Sequence, residues 1–387
     1  MRILVPMTYF RPYVSGPIIY VENLANQLVE QGHEVTILAS RHERDLPRSE
    51  QFGPGIEIVR VPVVAALSKG VVAPRFLPTF WRLLRTHDVT LVQVPQLEAP
   101  ALAGLARLRK RPSVLTYHCD VLLPPGLLNR VIGAVLNLGQ RLATRWANAI
   151  AMYTRDYAEH SAIVSRRLEK VTVVPPPVER IIATEAEAQG FRDGHDLGDR
   201  PLVGISARLS YEKGFHRLTA ALPRLLEEWP DLCVVHAGPF EDVVGEADYR
   251  QRLLEELEPL SDHWVSTGNL DRDELAAFYK ACTVTVLPSI NHTEAFGLVQ
   301  IESMLNGTPV VASALPGVRV PVTETGMGRL IPTSGIDELV EALSEVLRSP
   351  DDYANPARPI SKLASVEANL AGYQQIFTEL GLEPAGG

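Results

Sequence analysis

Short runs rich in Val, Ile, Leu and Thr recur along this chain, and the segments between them have helical periodicity. In the first half the runs are RILVP (2–6), EVTILA (34–39), IEIVRV (56–61), VTLVQV (89–94), SVLTY (113–117), AIAMY (149–153) and VTVVP (171–175). Most are apolar at consecutive positions, as strands buried on both faces are. Between them lie stretches such as IYVENLANQLVEQG, closed by Gly32 as a C-cap. Strand, helix, strand repeated this often predicts an α/β sheet with helices on both faces.

VVPPPVER interrupts the alternation. Three consecutive prolines continue neither a helix nor a central strand, so Pro175–Pro177 reads as the start of an interdomain linker. TEAEAQGFRDGHDLGDR reads as its polar, irregular continuation. The alternation restarts with PLVGISA (201–207) and runs through DLCVVHAG, HWVSTG, CTVTVLPS and TPVVAS. Helices are expected near Gly214, Gly245, Asp271 and Gly297, and a last amphipathic helix over about 361–380. A length of 387 residues suits two such units.

Charge is divided unevenly. Residues 1–177 carry 21 Lys and Arg against 13 Asp and Glu, whereas 178–387 carry 16 against 33. Two acid-free stretches lie in the first half: Ile58–His87, with Arg60, Lys69, Arg75, Arg82 and Arg85, and Val121–Arg155, with Arg130, Arg141, Arg145 and Arg155. The helix-like LLNRVIGAVLNLGQRLATRW within the second could lie on anionic lipid or be a core helix with solvated arginines. The acidic total and the lack of interleaved aromatics argue against nucleic-acid binding. Three cysteines without CxxC spacing suit a reducing, cytoplasmic location rather than a disulfide framework or cysteine zinc site. MRILVPM reads as a first strand, not a signal peptide, and no apolar segment is long enough to span a bilayer.

In open α/β sheets ligands bind beyond the carboxyl ends of the strands, which directs attention to four loops. TYFRPYVSGPIIYVENLA places Gly16 just before a helix, as a turn glycine or as part of an anion-binding loop. TYHCD places His118 and Asp120 after a strand, where they could orient a sugar hydroxyl or be structural. His118 and Cys119 point to opposite faces and do not form a nucleophile pair. ISARLSYEKGF sets Arg208 and Lys213 beside a helix N-terminus, as a pyrophosphate site or as solvated charges. HTEAFGLVQIESMLNG carries Glu294 at a strand-to-helix loop and Glu302 eight positions on, near the same face. A metal site lacks ligands beyond His292. The DxD at Asp271–Asp273 falls on a capping box made with Glu274. A glycosidase carboxylate pair remains open from spacing alone, although it gives no reason for Arg208 and Lys213. No GxGxxG follows a strand, which disfavours a nicotinamide oxidoreductase.

Taken together, GPIIYVENLANQLVEQGHEVTIL, TYHCD, ARLSYEKGFHRLTAALPRL and EAFGLVQIESMLNGTPVVAS resemble segments of the retaining glycosyltransferases of family 4, over nearly the whole length. The resemblance implies the GT-B fold: two Rossmann-like domains facing a central cleft. Residues 1–177 would bind the acceptor, 178–360 the nucleotide-sugar donor, and 361–387 would cross back to the N-terminal domain. Carried over by position, Arg208 and Lys213 hold the diphosphate, Glu294 bonds the donor sugar and Glu302 the ribose. Phe296 and Gly297 belong to that loop, and the amides of Leu298 and Val299 reach the phosphate end. Gly16 lets a loop close over the phosphate, and His118 contacts the sugar near the transfer point. The implied reaction moves a hexose from GDP-mannose or a UDP-hexose to a glycolipid, lipid-linked saccharide or polysaccharide. It retains anomeric configuration, needs no metal or cofactor beyond the donor, and is compatible with peripheral contact at the inner membrane face. The rival readings are a nucleotide-sugar epimerase of similar architecture and a non-catalytic nucleotide-sugar binder. The chain departs from the family pattern at Pro17, which removes one N–H, at PPP in the linker, at Arg319 and at Asn306.

Overall fold

The computed structural model describes all residues except 14, 68, 69, 123–125, 242, 244 and 383–387. Lys69 of the first basic stretch therefore lies outside the described residues. The chain forms two compact units, one of Met1–Pro177 with Ser365–Gly387 and one of Val178–Ala364.

The first unit is built on β1 (Arg2–Pro6), β2 (Glu34–Arg41), β3 (Ser49–Gln51), β4 (Ile56–Pro62), β7 (Val89–Val94), β8 (Ser113–Tyr117), β9 (Ala149–Met152) and β10 (Val171–Val173), with a separate hairpin of β5 (Ala65–Leu67) and β6 (Gly70–Val72). The sheet order is β10-β9-β8-β7-β1-β2-β4-β3, parallel except for β3 against β4. The order in which strands are added reverses between β1 and β7, which run parallel to each other. The short edge strand β3 and the hairpin escape the sequence reading: Ser49–Gln51 is polar throughout, and the two arms of the hairpin have three residues each, joined within one largely apolar stretch.

The same unit includes the helix Val366–Glu379, whose Tyr373, Ile376 and Phe377 join the core formed by Ile3, Val5, Leu24, Val114 and Val174. The Tyr373 hydroxyl lies 2.6 Å from Thr116 Oγ1 and 3.1 Å from the Tyr20 hydroxyl. Asn369 Nδ2 donates to the Pro175 carbonyl at 2.7 Å.

The second unit has β11 (Leu202–Ser206), β12 (Cys233–Ala237), β13 (Trp264–Gly268), β14 (Val284–Leu287), β15 (Val310–Ser313) and β16 (Gly328–Ile331). They form a parallel sheet in the order β13-β12-β11-β14-β15-β16, the doubly wound order whose switch point lies between the first and fourth strands.

Two expectations need correction. The segment after the prolines is not irregular: Glu185–Gly194 is a helix, with Thr184 and Glu187 as a reciprocal capping box and Ala188 and Phe191 buried. The T-x-x-E signal stood in the sequence, but the surrounding charge masked it. The last helix starts at Val366, not 361, with the Ser365 side chain accepting from the Ala368 N–H. Ile360, Leu363 and Ala364 are buried within the second unit, so its boundary falls at 364.

Candidate functional site

Two loops leave the switch point of the second sheet. The first follows β11, and the helix Phe215–Glu228 after it is N-capped by Gly214 at φ +74°. A Cβ on Gly214 would stand 2.1 Å from the Pro288 carbonyl oxygen, so this glycine lets the two loops touch. The second loop follows β14 and enters the helix Leu298–Leu305 through Gly297 at φ +77°. A Cβ there would meet Leu287 Cδ2 at 2.3 Å.

These close approaches bring the charged groups together. Lys213 Nζ donates to Glu294 Oε2 at 2.5 Å, with side chains 24% and 15% exposed. Ser289 Oγ donates to the same carboxylate oxygen at 3.4 Å. Arg208, half exposed, pairs with Glu212 at 2.7 Å. Leu298 and Val299 occupy the first turn of their helix, where backbone N–H groups have no intrahelical acceptor and the dipole favours anions. Phe296 is buried, and its carbonyl accepts from Gln300 Nε2 at 2.8 Å, so its side chain serves packing. Glu302 lies further along the helix and accepts from the Tyr279 hydroxyl at 2.8 Å. Burial pushes the Glu302 carboxyl above its usual range, and the bond from Tyr279 and the charge of Arg272 pull it back only in part.

A second layer holds these loops. Arg217 is buried, and its guanidinium donates to the carbonyls of Pro288, Pro332 and Gly335 and to Ser313 Oγ. One side chain thus ties the end of β15 to the segments after β14 and β16. Gln300 Nε2 also donates to the Val318 carbonyl at 3.0 Å. Asn306 accepts from the Ala183 N–H at 2.9 Å and donates to the carbonyls of Ile181 and Glu302. It fastens the segment after the prolines to the Glu302 helix.

In the first unit, Gly16 opens the helix Gly16–Glu30 after the extended Ser15. Among the described residues, no atom beyond its chain neighbours and its own helix backbone lies within 4 Å of where its Cβ would stand, so neither packing nor backbone angle demands glycine. His118 follows β8 and is buried. Its Nε2 lies 2.8 Å from Gln93 Oε1, an acceptor, and its Nδ1 lies 2.5 Å from the Tyr153 hydroxyl. Nε2 therefore carries the proton and Nδ1 accepts. Burial depresses the imidazole to about 4, and both ring nitrogens are engaged inside the unit. Asp120 is likewise engaged, accepting from the Tyr117 hydroxyl, Ser161 Oγ and the Ala162 N–H.

Residues 189–362 match the model of the family described as Glycosyl transferases group 1, and residues 15–177 match a Glycosyl transferase 4-like domain. The 2-deoxystreptamine glucosyltransferase of Streptomyces kanamyceticus is 30% identical over 319 residues, 79% of this chain and 77% of that protein. The chain belongs to the group 1 glycosyltransferases of family 4. The GDP-mannose-dependent alpha-(1-6)-phosphatidylinositol monomannoside mannosyltransferase of Mycolicibacterium smegmatis is 27% identical to this glycosyltransferase, covering 88% of each chain. The structure of Anabaena Alr3699/HepE in complex with UDP-glucose superposes with a TM-score of 0.76 at 20% identity, covering 98% of this chain and all of that one. The glycosyltransferase therefore has the GT-B fold.

Sequence reasoning about this glycosyltransferase missed Arg217, Gln300 and Tyr279. A signal existed for Arg217, a cation among Phe215, Leu218 and Leu222 on a buried helix face. Nothing in local spacing marks Tyr279, whose partner Glu302 lies 23 residues away.

Proposed function

We propose that the chain transfers a hexose, with retention of anomeric configuration, from a nucleoside-diphosphate sugar to a hydroxyl of a glycolipid or lipid-linked saccharide. The observation that carries this reading is the Lys213–Glu294 pair at the switch point of the second sheet. An incoming donor can open it, the diphosphate taking the Lys213 ammonium and the sugar hydroxyls taking the Glu294 carboxylate. Arg208 and the first-turn amides of Leu298 and Val299 complete the diphosphate site, and Glu302 accepts from the ribose. These groups act where charge grows as the bond from C1 to the phosphate breaks, and such preorganised donors dominate catalysis of this kind. The acceptor hydroxyl attacks C1 from the side the diphosphate leaves, and its proton passes to the departing phosphate oxygen. No carboxylate nucleophile and no metal is needed, since two side-chain cations and a helix N-terminus balance the leaving group. With both ring nitrogens engaged, we assign His118 a positioning role, its ring holding Gln93 and Tyr153. The names of the relatives support GDP-mannose or a UDP-hexose as donor.

A thermal-shift screen of nucleoside diphosphates and their sugars identifies the donor, since a ligand of the folded state raises apparent stability. NMR of the first-formed product then reads the anomeric configuration. An inverted product, or a covalent glycosyl adduct on Glu294 trapped with a fluoro-sugar, overturns the reading.

The first unit supports an acceptor at a lipid surface. The helix Leu127–Trp146 exposes Leu127, Val131, Val135 and Leu138, one face at spacings of four and three, alongside the exposed Arg130 and Arg141. Among the described residues no helix is long and apolar enough to cross a membrane, so any contact through this helix lies in the plane of the interface. Co-sedimentation with vesicles containing phosphatidylglycerol should exceed that with phosphatidylcholine alone and fall with salt. Equal binding to both overturns the anionic-lipid reading.

A further inference from the structure

At the carboxyl edge of the first sheet, a cavity of about 280 Å³ opens beside the helix Leu127–Trp146. Gln96 and Leu97, on the loop after β7, form one wall, and Val121, after β8, forms another. Val135, Leu136 and Gly139 of the helix close it. Gln96 and Gln140 are the polar side chains of this lining. Both amide atoms of Gln96 are buried and have no hydrogen-bond partner among the described residues. A buried amide left unsatisfied in an apolar wall gains by turning toward a polar partner in the cavity. The rest of the lining calls for an apolar one. Val135 of the lining also belongs to the exposed face of Val131, Val135 and Leu138, and no acidic residue occurs from Val121 to Arg155.

We propose that this cavity holds the head-proximal part of the acceptor's alkyl chain, with the Gln96 amide meeting the polar group where chain and head join. The inference rests on the glycosyltransferase reading with an amphiphilic acceptor and names where that acceptor's chain is recognised. A water-sized group occupies roughly 30 Å³, so the cavity takes about nine chain carbons. The position agrees with the chemistry: it adjoins the carboxyl edge, where the acceptor's hydroxyl must also lie, and it opens toward the face that would meet lipid.

The test uses the full chain and n-alkyl β-glucosides from butyl to octyl, below their micellar concentrations and without vesicles, with binding followed by calorimetry. Affinity should rise up to about fourfold for each added methylene. Gly139→Leu fills the space. A Cβ at Gly139 makes only ordinary contact with Pro100, at 3.4 Å, and leucine is the better helix former. This variant should weaken octyl glucoside tenfold or more and leave butyl glucoside nearly unchanged. Val135→Asp, at an exposed helix position, should act in the same direction without touching the core. Resistance of residues 1–177 to limited proteolysis, equal to that of the parent, reports that the first unit of each variant is folded. Affinity independent of chain length, or octyl binding unchanged in both variants, overturns the proposal. If chains fail to bind while nucleoside diphosphate still binds and a chain-free acceptor is glycosylated, the cavity assignment falls and the glycosyltransferase reading stands. If nucleoside diphosphate fails to bind, the donor-site reading falls, and the chain-length slope still decides the cavity.

Discussion

Glu294 and Glu302 sit eight positions apart in different surroundings. Glu294 shares its carboxylate with Lys213 and Ser289 at the loop, whereas Glu302 is held by Tyr279 further down the helix. Glu294→Ala should lower kcat by roughly a hundredfold, as the loss of a group acting in the transition state does, with a smaller effect on donor KM. Glu302→Ala should raise donor KM about tenfold, in keeping with roughly 1.5–3 kcal/mol for hydrogen bonds to a charged group, and change kcat less. Steady-state kinetics separates the two, and reversed effects would cross the assignments. His118 makes a prediction about stability. Its imidazole titrates near 4 when folded and near 6.5 when unfolded, so the unfolded chain takes the proton first. Stability is therefore lost as pH falls from about 6.5 toward 4. The loss from this group between pH 7 and pH 5 should be about 2 kcal/mol. Urea midpoints at the two pH values should differ less in His118→Gln than in the parent; equal differences would contradict the assignment.

The functional loops are shaped by glycines of two kinds. Gly214 must be glycine for the fold, given its left-handed backbone and the Pro288 carbonyl against it. Gly214→Ala should cost about 2 kcal/mol or more in chemical denaturation. Gly16 meets neither demand, so Gly16→Ala should leave the denaturation midpoint within about 0.5 kcal/mol while reducing kcat/KM for the donor. A Gly16→Ala protein of lowered stability and full activity would refute its assignment to the donor loop. The same contrast shows what was legible in the sequence. The long strands of both sheets could be read because consecutive apolar residues leave little choice, and RILVP, VTLVQV and SVLTY coincide with β1, β7 and β8 to the residue. The strand GRLI, β16, was missed because a glycine and an arginine break its run; its register against β15 supplies what its composition lacks. The charged loop residues were legible as types at strand ends. Which of them meet was not, because the Lys213–Glu294 contact spans 81 positions and depends on how two loops pack. His118 could be read as sugar-binding or structural, and only the Gln93 and Tyr153 contacts show that its ring is engaged.

At the scale of the molecule, the chain leaves the first unit at Pro177 and returns to it at Ser365. A chain ending at Ala364 would lack Tyr373, Ile376 and Phe377, and with them part of the first unit's core. Limited proteolysis of that truncation should degrade residues 1–177 while 178–364 persists and still binds nucleoside diphosphate. Equal resistance of both units would show that the helix is dispensable. The returning helix also sets an order of events during synthesis. Translation proceeds at roughly 5–20 residues per second, so the first unit waits on the order of ten to forty seconds for its closing piece. Throughout that wait Val174, Tyr20 and Thr116, which the helix later covers, lack their partners. The domain made first is the one finished last, and a ribosome that stops early releases a nascent protein whose opening half is the part a chaperone must shelter.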